Sequence, residues 1–340
     1  MISRTFMEEI RSDSIAPRGL EHVCKAILAA VGRAMSVLWI ALLVGFVTSL
    51  VVVPRQGYAQ QSDQGQRSGA ASLLNLWGNK NSSDHRVGSA AHRQGILNSL
   101  PMDRLTTDAR KRILDIAEKP TLFRQLPSQV ISCDRDMFLF LTRNPDVLVG
   151  LWDLMGITKV QSKRIAPFQL EASDGVGTVC QVDLVYGDDE QHIFVVDGSY
   201  DGRMVPTPIR GKGVFVLRST YAAGADGQTT ISGTLDCFVQ LDSLGLDLIA
   251  RTLSPIIGRS ADANFMQTAQ FIAQVSQSSA HNPSVMLDIA SRLPQVDPPV
   301  RESFSDTIVT VARRSAAIAQ QQRGSQGQTT ASAERQTQTR

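Results

Sequence analysis

The stretch that decides the fold is VGTVCQVDLVYG, from Val176 to Gly187, in which apolar and polar side chains alternate. A period of two places successive side chains on opposite faces of an extended chain, so this stretch predicts a half-buried β-strand. One face is predicted to carry Val176, Thr178, Cys180, Val182, Leu184 and Tyr186, and the other Val179, Gln181, Asp183 and Val185. Such a strand requires a core to cover its apolar face.

Further strands are predicted on both sides of this one. They are HIFVVDGSY from His192 to Tyr200, GVFVLRSTYA from Gly213 to Ala222, TTISGTLDCFVQL from Thr229 to Leu241, and a more irregular strand over 159–173. Turn residues separate them, including Asp188-Asp189 and Asp226-Gly227. The sequence therefore predicts an antiparallel meander.

Helices are predicted before and after the strands. The early ones are an amphipathic helix capped by Thr106 or Thr107 that carries Ala109, Ile113, Ile116 and Ala117, and two apolar helices separated by Asn144 and Pro145. The later ones are a helix that ends before Pro255, a longer helix with Phe265, Ala269, Ile272 and Val275 on one face, and a short helix from Pro283. We expect the long helix to lie on the sheet.

The N-terminal 59 residues have the features of an export segment. The run from Met35 to Val53 contains no charged residue and follows Arg18, Lys25 and Arg33. Gly57 and Ala59 form a small-x-small pattern, which indicates cleavage after Ala59. The run is also just long enough to remain as a membrane anchor. Either alternative predicts that the domain lies outside the cytoplasm, in the periplasm or extracellular space.

The remaining segments divide the chain by composition. Residues 60–99 are rich in Gln, Ser, Gly and Asn, and residues 323–340 have a similar polar composition; they are predicted to be a disordered linker and a disordered tail. The folded domain is predicted over 100–295, with its core over 130–278. An amphipathic helix is predicted over 296–322. The sequence does not identify what covers its apolar face, Phe304 to Ile318, so the helix is predicted to pack either on the domain or on another protein.

Composition argues against several classes of function. The 34 basic and 32 acidic residues are interspersed and give a net charge of +2, which is not the pattern of a nucleic-acid-binding surface. The histidines have no Cys or His at ligand spacing, so no metal site is predicted. The sequence contains no nucleophile elbow, P-loop or dinucleotide fingerprint, so no cofactor is predicted.

The order of the predicted elements from Cys133 to about Gln277 resembles the START-like, or helix-grip, superfamily. The segment from Ser232 to Val275, SGTLDCFVQLDSLGLDLIARTLSPIIGRSADANFMQTAQFIAQV, is similar to the last strand and C-terminal helix of that superfamily. The resemblance implies an α+β fold in which a curved antiparallel sheet packs on a long C-terminal helix. It also implies a cavity for a lipid, polyketide, quinone or other apolar molecule.

A ligand-binding cavity would be lined by the apolar strand faces and the long helix. The predicted lining residues are Arg218, Cys180, Val182, Leu235, Cys237, Phe265, Met266 and Ile272. The alternative is that these side chains fill a solid core at normal packing density. Arg218 either faces the cavity and meets an anionic group of the ligand, or pairs with a carboxylate such as Asp183 or Asp236.

Three cysteines remain after the export segment. Cys180 and Cys237 both lie on predicted apolar faces, so a disulfide is possible if their strands are neighbours; the alternative is two buried free thiols. Cys133 is the third.

Three functions are compatible with the sequence. The first is an exported, non-catalytic protein that holds an apolar small molecule or lipid. The second is an envelope or membrane-anchored scaffold with a solid core and a protein partner bound by the helix Phe304 to Ile318. The third is a START-like cyclase or hydrolase, which requires His192, Asp197 and Arg218 to converge in the cavity; the alternative for His192 is a solvated residue at the edge of the sheet.

Overall fold

The computed structural model describes residues 90–202, 208–224, 228–242 and 246–337 of the chain, with side chains described outside 246–260 and 323–337. The predicted export segment, its apolar run 35–53 and the Asp226-Gly227 turn lie outside the described residues. No helix in the described part of the chain is long and apolar enough to cross a membrane.

The fold is α+β, as predicted, with one large antiparallel sheet. Its strands are β1 (Leu122–Gln125), β2 (Gln129–Ser132), β3 (Gln161–Ala166), β4 (Gln169–Ser173), β5 (Thr178–Gly187), β6 (Gln191–Tyr200), β7 (Ile209–Ala223) and β8 (Thr229–Leu241). The strand order is β1-β8-β7-β6-β5-β4-β3, and β2 also pairs with β8. The predicted meander is therefore confirmed over β5 to β8. The irregular strand over 159–173 is a hairpin of two strands, and β1 and β2 were not predicted.

The helices surround this sheet. They are α1 (Ala90–Asn98), α2 (Thr107–Ala117), α3 (Arg135–Arg143), α4 (Pro145–Leu154), α5 (Leu246–His281), α6 (Pro283–Ser291) and α7 (Pro298–Thr337). Thr106 caps α2, because its Oγ1 accepts a hydrogen bond from the Ala109 backbone N–H at 3.2 Å. Asp134 caps α3 in the same way, through Asp136 and Met137. These helix starts follow from the local sequence.

Three helical boundaries differ from the sequence prediction. Helix α1, from Ala90 to Asn98, lies inside the predicted linker 60–99. Its side chains Ile96 and Leu97 are buried in the outer core, which stabilises the helix. The backbone of α5 continues past Pro255, where an interruption was predicted. The backbone of α7 is helical to Thr337, through the tail for which disorder was predicted.

Both faces of the sheet are covered, by different helices. The outer face carries α1 and α2, and its core comprises Ile96, Leu97, Leu100, Leu105, Ala109, Ile113, Ile116, Ala117, Phe123, Tyr186, Ile193, Val195, Val214, Val216 and Phe238. The inner face carries α3 to α7, with Phe194, Phe215, Ile231, Phe271 and Ile272 among its core residues. The sheet is thus the central layer of three, although the sequence predicted a half-buried strand.

The C-terminal helix α7 belongs to the inner layer. Phe304 and Ile308 are fully buried and Val311 is 3% exposed. The Phe304 ring stacks on Phe140 of α3, with centroids 5.5 Å apart, and Arg314 pairs with Asp134 and Asp136 at the start of α3. The part of the predicted partner-binding face from Phe304 to Val311 is therefore covered by the domain itself, whereas Ile318 is half-buried.

A β-bulge corrects the predicted face of one residue. The pairing of β5 with β6 shifts between Leu184 and Tyr186, so Leu184 lies opposite Phe194 and Tyr186 lies opposite Ile193. An extra residue in one strand reverses the alternation beyond it. Tyr186 consequently packs in the outer core, whereas Cys180, Val182 and Leu184 stay on the inner face.

Candidate ligand-binding cavity

An apolar cavity of about 110 Å³ lies between the inner face of the sheet and helix α5. The sheet contributes Gln129, Ile131, Val182, Phe194, Val196, Phe215, Leu217, Ile231, Gly233 and Leu235, and the helices contribute Phe138, Leu141, Thr142, Leu148, Asn264, Phe265, Thr268, Ala269 and Ile272. The volume is several times the roughly 10–15 Å³ that one water molecule requires. The inner core is therefore not solid.

A glycine on the inner face explains part of this space. Strand alternation in β8 turns Ile231, Gly233 and Leu235 toward α5, and Gly233 has no side chain to fill its place. A Cβ atom added there would lie 3.8 Å from Leu217 Cδ1 and 4.0 Å from Phe265 Cζ, which is ordinary van der Waals contact. The position could hold a side chain without a clash, so the opening depends on the choice of glycine.

The cavity wall also leaves apolar side chains incompletely packed. Val182, Leu217 and Leu235 are half-buried, although they lie on the inner face of central strands. Phe265, on the facing side of α5, is half-buried as well. Apolar surface that the protein itself does not cover is available to an apolar ligand.

The structure brings four of the predicted site residues to the cavity. Val182, Leu235, Phe265 and Ile272 line it. Cys180 and Cys237 lie in the inner core beside it but are not part of its wall. Met266 points away from the sheet and is 39% exposed, because it follows Phe265 around the helix by about 100°.

Arg218 lies on the outer face and not in the cavity. Strand β7 places Val214 and Val216 in the outer core. Arg218 is the next alternate residue along the strand, so it lies on the same face. Its Nη2 donates a hydrogen bond to Asp236 Oδ2 at 2.6 Å, and the Asp236 side chain is fully buried. The alternative prediction, pairing with a carboxylate, is therefore confirmed.

The cysteines are free thiols. Strands β6 and β7 separate Cys180 on β5 from Cys237 on β8, so the condition for the disulfide fails. At the usual strand spacing the two lie about 14 Å apart, which no disulfide spans. Burial raises the pKa of Cys133 to about 12 and that of Cys180 to about 11, and it also raises the pKa of Cys237. These thiols are packing groups.

His192 is fully buried, so the prediction of a solvated edge histidine is wrong. It lies on the inner face of the sheet, like Phe194 two residues further along β6. Its Nε2 accepts a hydrogen bond from Arg143 Nε at 3.1 Å. That bond places the proton of the neutral ring on Nδ1, for which the described residues offer no acceptor. Burial and, secondarily, the Arg143 charge lower the pKa of His192 to about 4.

The three groups considered for catalysis are not brought together. Asp197 lies on the outer face, where its carboxylate accepts a hydrogen bond from Arg112 at 3.0 Å. Arg218 lies on the same face with Asp236, and His192 lies on the opposite face with Arg143. No cluster of three or more His, Cys, Asp or Glu side chains in the described ranges is placed to hold a metal ion.

Sequence reasoning missed several wall residues. Ile131 comes from β2, which was not predicted, and Phe138 and Leu141 from α3, whose orientation the sequence leaves open. Phe215 and Leu217 lie on the face of β7 opposite to the one considered for the cavity. A signal existed for β7, because both of its faces are apolar in GVFVL, which is typical of a strand buried on both sides.

Together the fold and site define an α+β protein with an apolar cavity between an antiparallel sheet and a long helix. No protein-family model matches the chain, and no curated protein matches it. A conserved protein from Geobacillus kaustophilus is 13% identical, with 43% of this chain and 93% of that chain covered and a TM-score of 0.31. A hypothetical protein from Helicobacter pylori is 6% identical, with 45% and 88% covered and a TM-score of 0.31.

A third similar structure is that of Ara h 8.0201. It is 11% identical, with 42% of this chain and 96% of that chain covered and a TM-score of 0.24. Likenesses at these TM-scores carry no argument about a ligand or an activity.

Proposed function

We propose that this protein is a non-catalytic, START-like binding protein that holds a small apolar molecule between its sheet and helix α5. The observation that carries the proposal is the apolar cavity of about 110 Å³ between the sheet and α5. Natural interiors leave few voids larger than a water molecule, because unfilled space forfeits dispersion contacts. The predominantly apolar wall, with a few polar groups, is the kind of lining that ligand sites have.

The size of the cavity favours a small ligand. A cavity of about 150 Å³ lined by apolar side chains binds benzene, so about 110 Å³ suits a single ring or a short aliphatic chain. A complete lipid chain would require the walls to move apart. Among the apolar molecules that the START-like resemblance implies, we therefore favour the compact ones.

Export is the second part of the proposal. The support is the uncharged run from Met35 to Val53 behind a basic flank, followed by the small residues Gly57 and Ala59. If the segment is removed, the mature protein begins at Gln60 and carries its ligand outside the cytoplasm. Retention of the segment would instead anchor the same binding domain at a membrane.

The scaffold alternative has less support. It requires a solid core and a free apolar face on the C-terminal helix, whereas the inner core contains a cavity and Phe304 and Ile308 are fully buried. No observation favours it over ligand binding.

The proposal is tested by filling the cavity. Gly233→Leu places an isobutyl group among the wall residues, while Gly95→Leu is the control, because no atom lies within 4 Å of its added Cβ. In native mass spectrometry of the protein purified after expression of all 340 residues, we expect the wild type and Gly95→Leu to bind toluene and Gly233→Leu to bind it at least tenfold more weakly.

The same spectra test export. An intact mass that begins at Gln60 supports cleavage, and a mass that includes Met35 to Val53 supports an anchor.

Equal toluene binding by Gly233→Leu and the wild type would contradict the proposed site. No binding by any of the three proteins would contradict the proposed function.

A further inference from the structure

The apolar cavity contains a small set of polar groups on its helical side. Thr142 of α3 and both Asn264 and Thr268 of α5 line it. Asn264 and Thr268 are four residues apart, so they lie one helical turn apart on the same face. On the strand side the one polar side chain of the wall is Gln129, whose Nε2 donates to the Pro127 carbonyl at 2.9 Å.

The polar groups on the helices have no partner among the described residues. Asn264 is 7% exposed and Thr142 is 8% exposed, whereas Thr268 is half-buried. Within the described ranges, no side-chain hydrogen bond joins the Asn264 carboxamide or the Thr142 and Thr268 hydroxyls to another residue, and none of these polar atoms is completely sealed off. Polar groups that a folded protein closes off from water are almost always hydrogen-bonded. A carboxamide in an apolar wall is therefore expected to take its partner from what enters the cavity.

The described part of the wall carries no charge. None of its described residues is Asp, Glu, Lys, Arg or His. Arg143 and His192 are hydrogen-bonded to each other, and neither forms part of the wall. An ionised ligand would lose its hydration without gaining a counter-ion, which is strongly unfavourable in an apolar interior. A neutral polar group requires only a hydrogen bond, and Asn264 offers both a donor and an acceptor.

We infer that the ligand is a small neutral molecule with an apolar body and one hydrogen-bonding group, such as an alcohol, a ketone or an amide, which Asn264 anchors together with Thr268 and Thr142. This inference rests on the proposed function, because it names the class of ligand for the same cavity. The apolar body lies against the strands, where Gly233 leaves space, and the polar group lies against α5.

The test compares toluene, benzyl alcohol and benzoate, which share one ring and differ in the polar group. Their affinities for the full-length chain are measured by isothermal titration calorimetry. For the wild type we expect benzoate to bind at least tenfold more weakly than benzyl alcohol. Asn264→Leu is expected to lower the affinity ratio of benzyl alcohol to toluene by roughly tenfold, the effect of one lost hydrogen bond.

Two further variants serve as a surface control and as a second substitution in the cavity wall. Asn98→Leu makes the same change on the exposed surface of α1, and we expect it to leave the ratio unchanged. Thr268→Val is nearly isosteric, and we expect it to lower the ratio by roughly threefold even if Asn264→Leu does not fold.

The outcomes separate the two proposals. If toluene and benzyl alcohol bind but neither Asn264→Leu nor Thr268→Val changes their ratio, the anchor is wrong and the cavity remains a ligand site. If benzoate binds as tightly as benzyl alcohol, the assignment of a neutral ligand is wrong. If none of the three binds to the wild type, the proposed function itself fails.

Discussion

The two faces of the sheet are both covered by helices, yet they are packed differently. On the outer face Ile113, Val214, Val216 and Phe238 are fully buried. On the inner face Val182, Leu217 and Leu235 remain half-buried around a cavity. Strands β7 and β8 supply side chains to both sets. The difference indicates that the outer layer is filled, whereas part of the inner layer encloses a cavity.

The two faces also differ in the charged side chains that they bury. The outer face buries two carboxylates, Asp183 with Arg112 and Asp236 with Arg218, each with a 2.6 Å hydrogen bond. The wall of the inner cavity has no charged side chain among its described residues. A solid layer can enclose ion pairs that satisfy each other, while a cavity wall with an unpaired charge would accept few neutral ligands.

The largest effect expected is on the packing of the outer face. Phe238→Ala should lower the free energy of unfolding by about 4 kcal/mol, because it leaves a cavity in a filled core. Phe265→Ala, at the inner cavity, should lower it by about 1 kcal/mol, since that ring is half-buried already. Urea denaturation of the full-length chain measures both. Equal losses would show that the two faces are packed alike.

The next effect concerns the buried ion pair on the outer face. Arg218→Leu should lower the free energy of unfolding by about 3 kcal/mol, because it leaves the fully buried Asp236 with only the Gln125 amide as a partner. Arg292→Leu is the control, as its partner Asp288 is exposed, and we expect a loss below about 0.5 kcal/mol. The double variant Arg218→Leu, Asp236→Leu should recover most of the loss. A small effect of Arg218→Leu alone would mean that the outer face tolerates an unpaired charge.

The smallest effect expected is the response of the inner face to acid. His192 has a pKa of about 4 in the folded protein, and its ordinary value is about 6.5. The unfolded chain therefore binds an additional proton as the pH falls below about 6.5, and the stability contributed by the neutral ring is lost as the pH approaches 4. At pH 5 this loss is about 2 kcal/mol relative to pH 7.5.

The measurement compares urea denaturation of the wild type and His192→Gln at pH 7.5 and pH 5. The variant should lose less stability on acidification, whereas His281→Gln, at an exposed position on α5, should behave like the wild type. Three charged groups act on His192, namely Arg143, Asp188 and Asp189, and the variant leaves all three in place. Identical pH responses of wild type and His192→Gln would contradict the buried neutral histidine.

Local sequence signals were sufficient for most of the elements. The cap at Thr106, the break at Asn144-Pro145 and the alternation in β5 to β8 each depend on neighbours in the chain. Strands β1 and β2 are only four residues long and contain too few alternations to be recognised. The bulge before Tyr186 likewise has no local signal, because it exists only relative to the register of β6.

The candidate site was predictable only in part. Val182, Leu235, Phe265 and Ile272 were found because each lies on the regular apolar face of its own strand or helix. Arg218 was assigned to the wrong side because β7 is apolar on both faces, so its pattern does not distinguish them. Gly233, Asn264 and Thr142 were missed, since their roles depend on what faces them across the core.

The sequence by itself determined the α+β class, the succession of strands β5 to β8 and which side chains share a face within each regular element, because periodicity and turn chemistry act over a few residues. Only the tertiary structure decided which face of the sheet meets α5, that α7 covers the domain with Phe304, and that space remains beside Gly233. These outcomes depend on contacts between residues that are distant in the chain, and a cavity is a property of the surrounding walls that no single segment encodes.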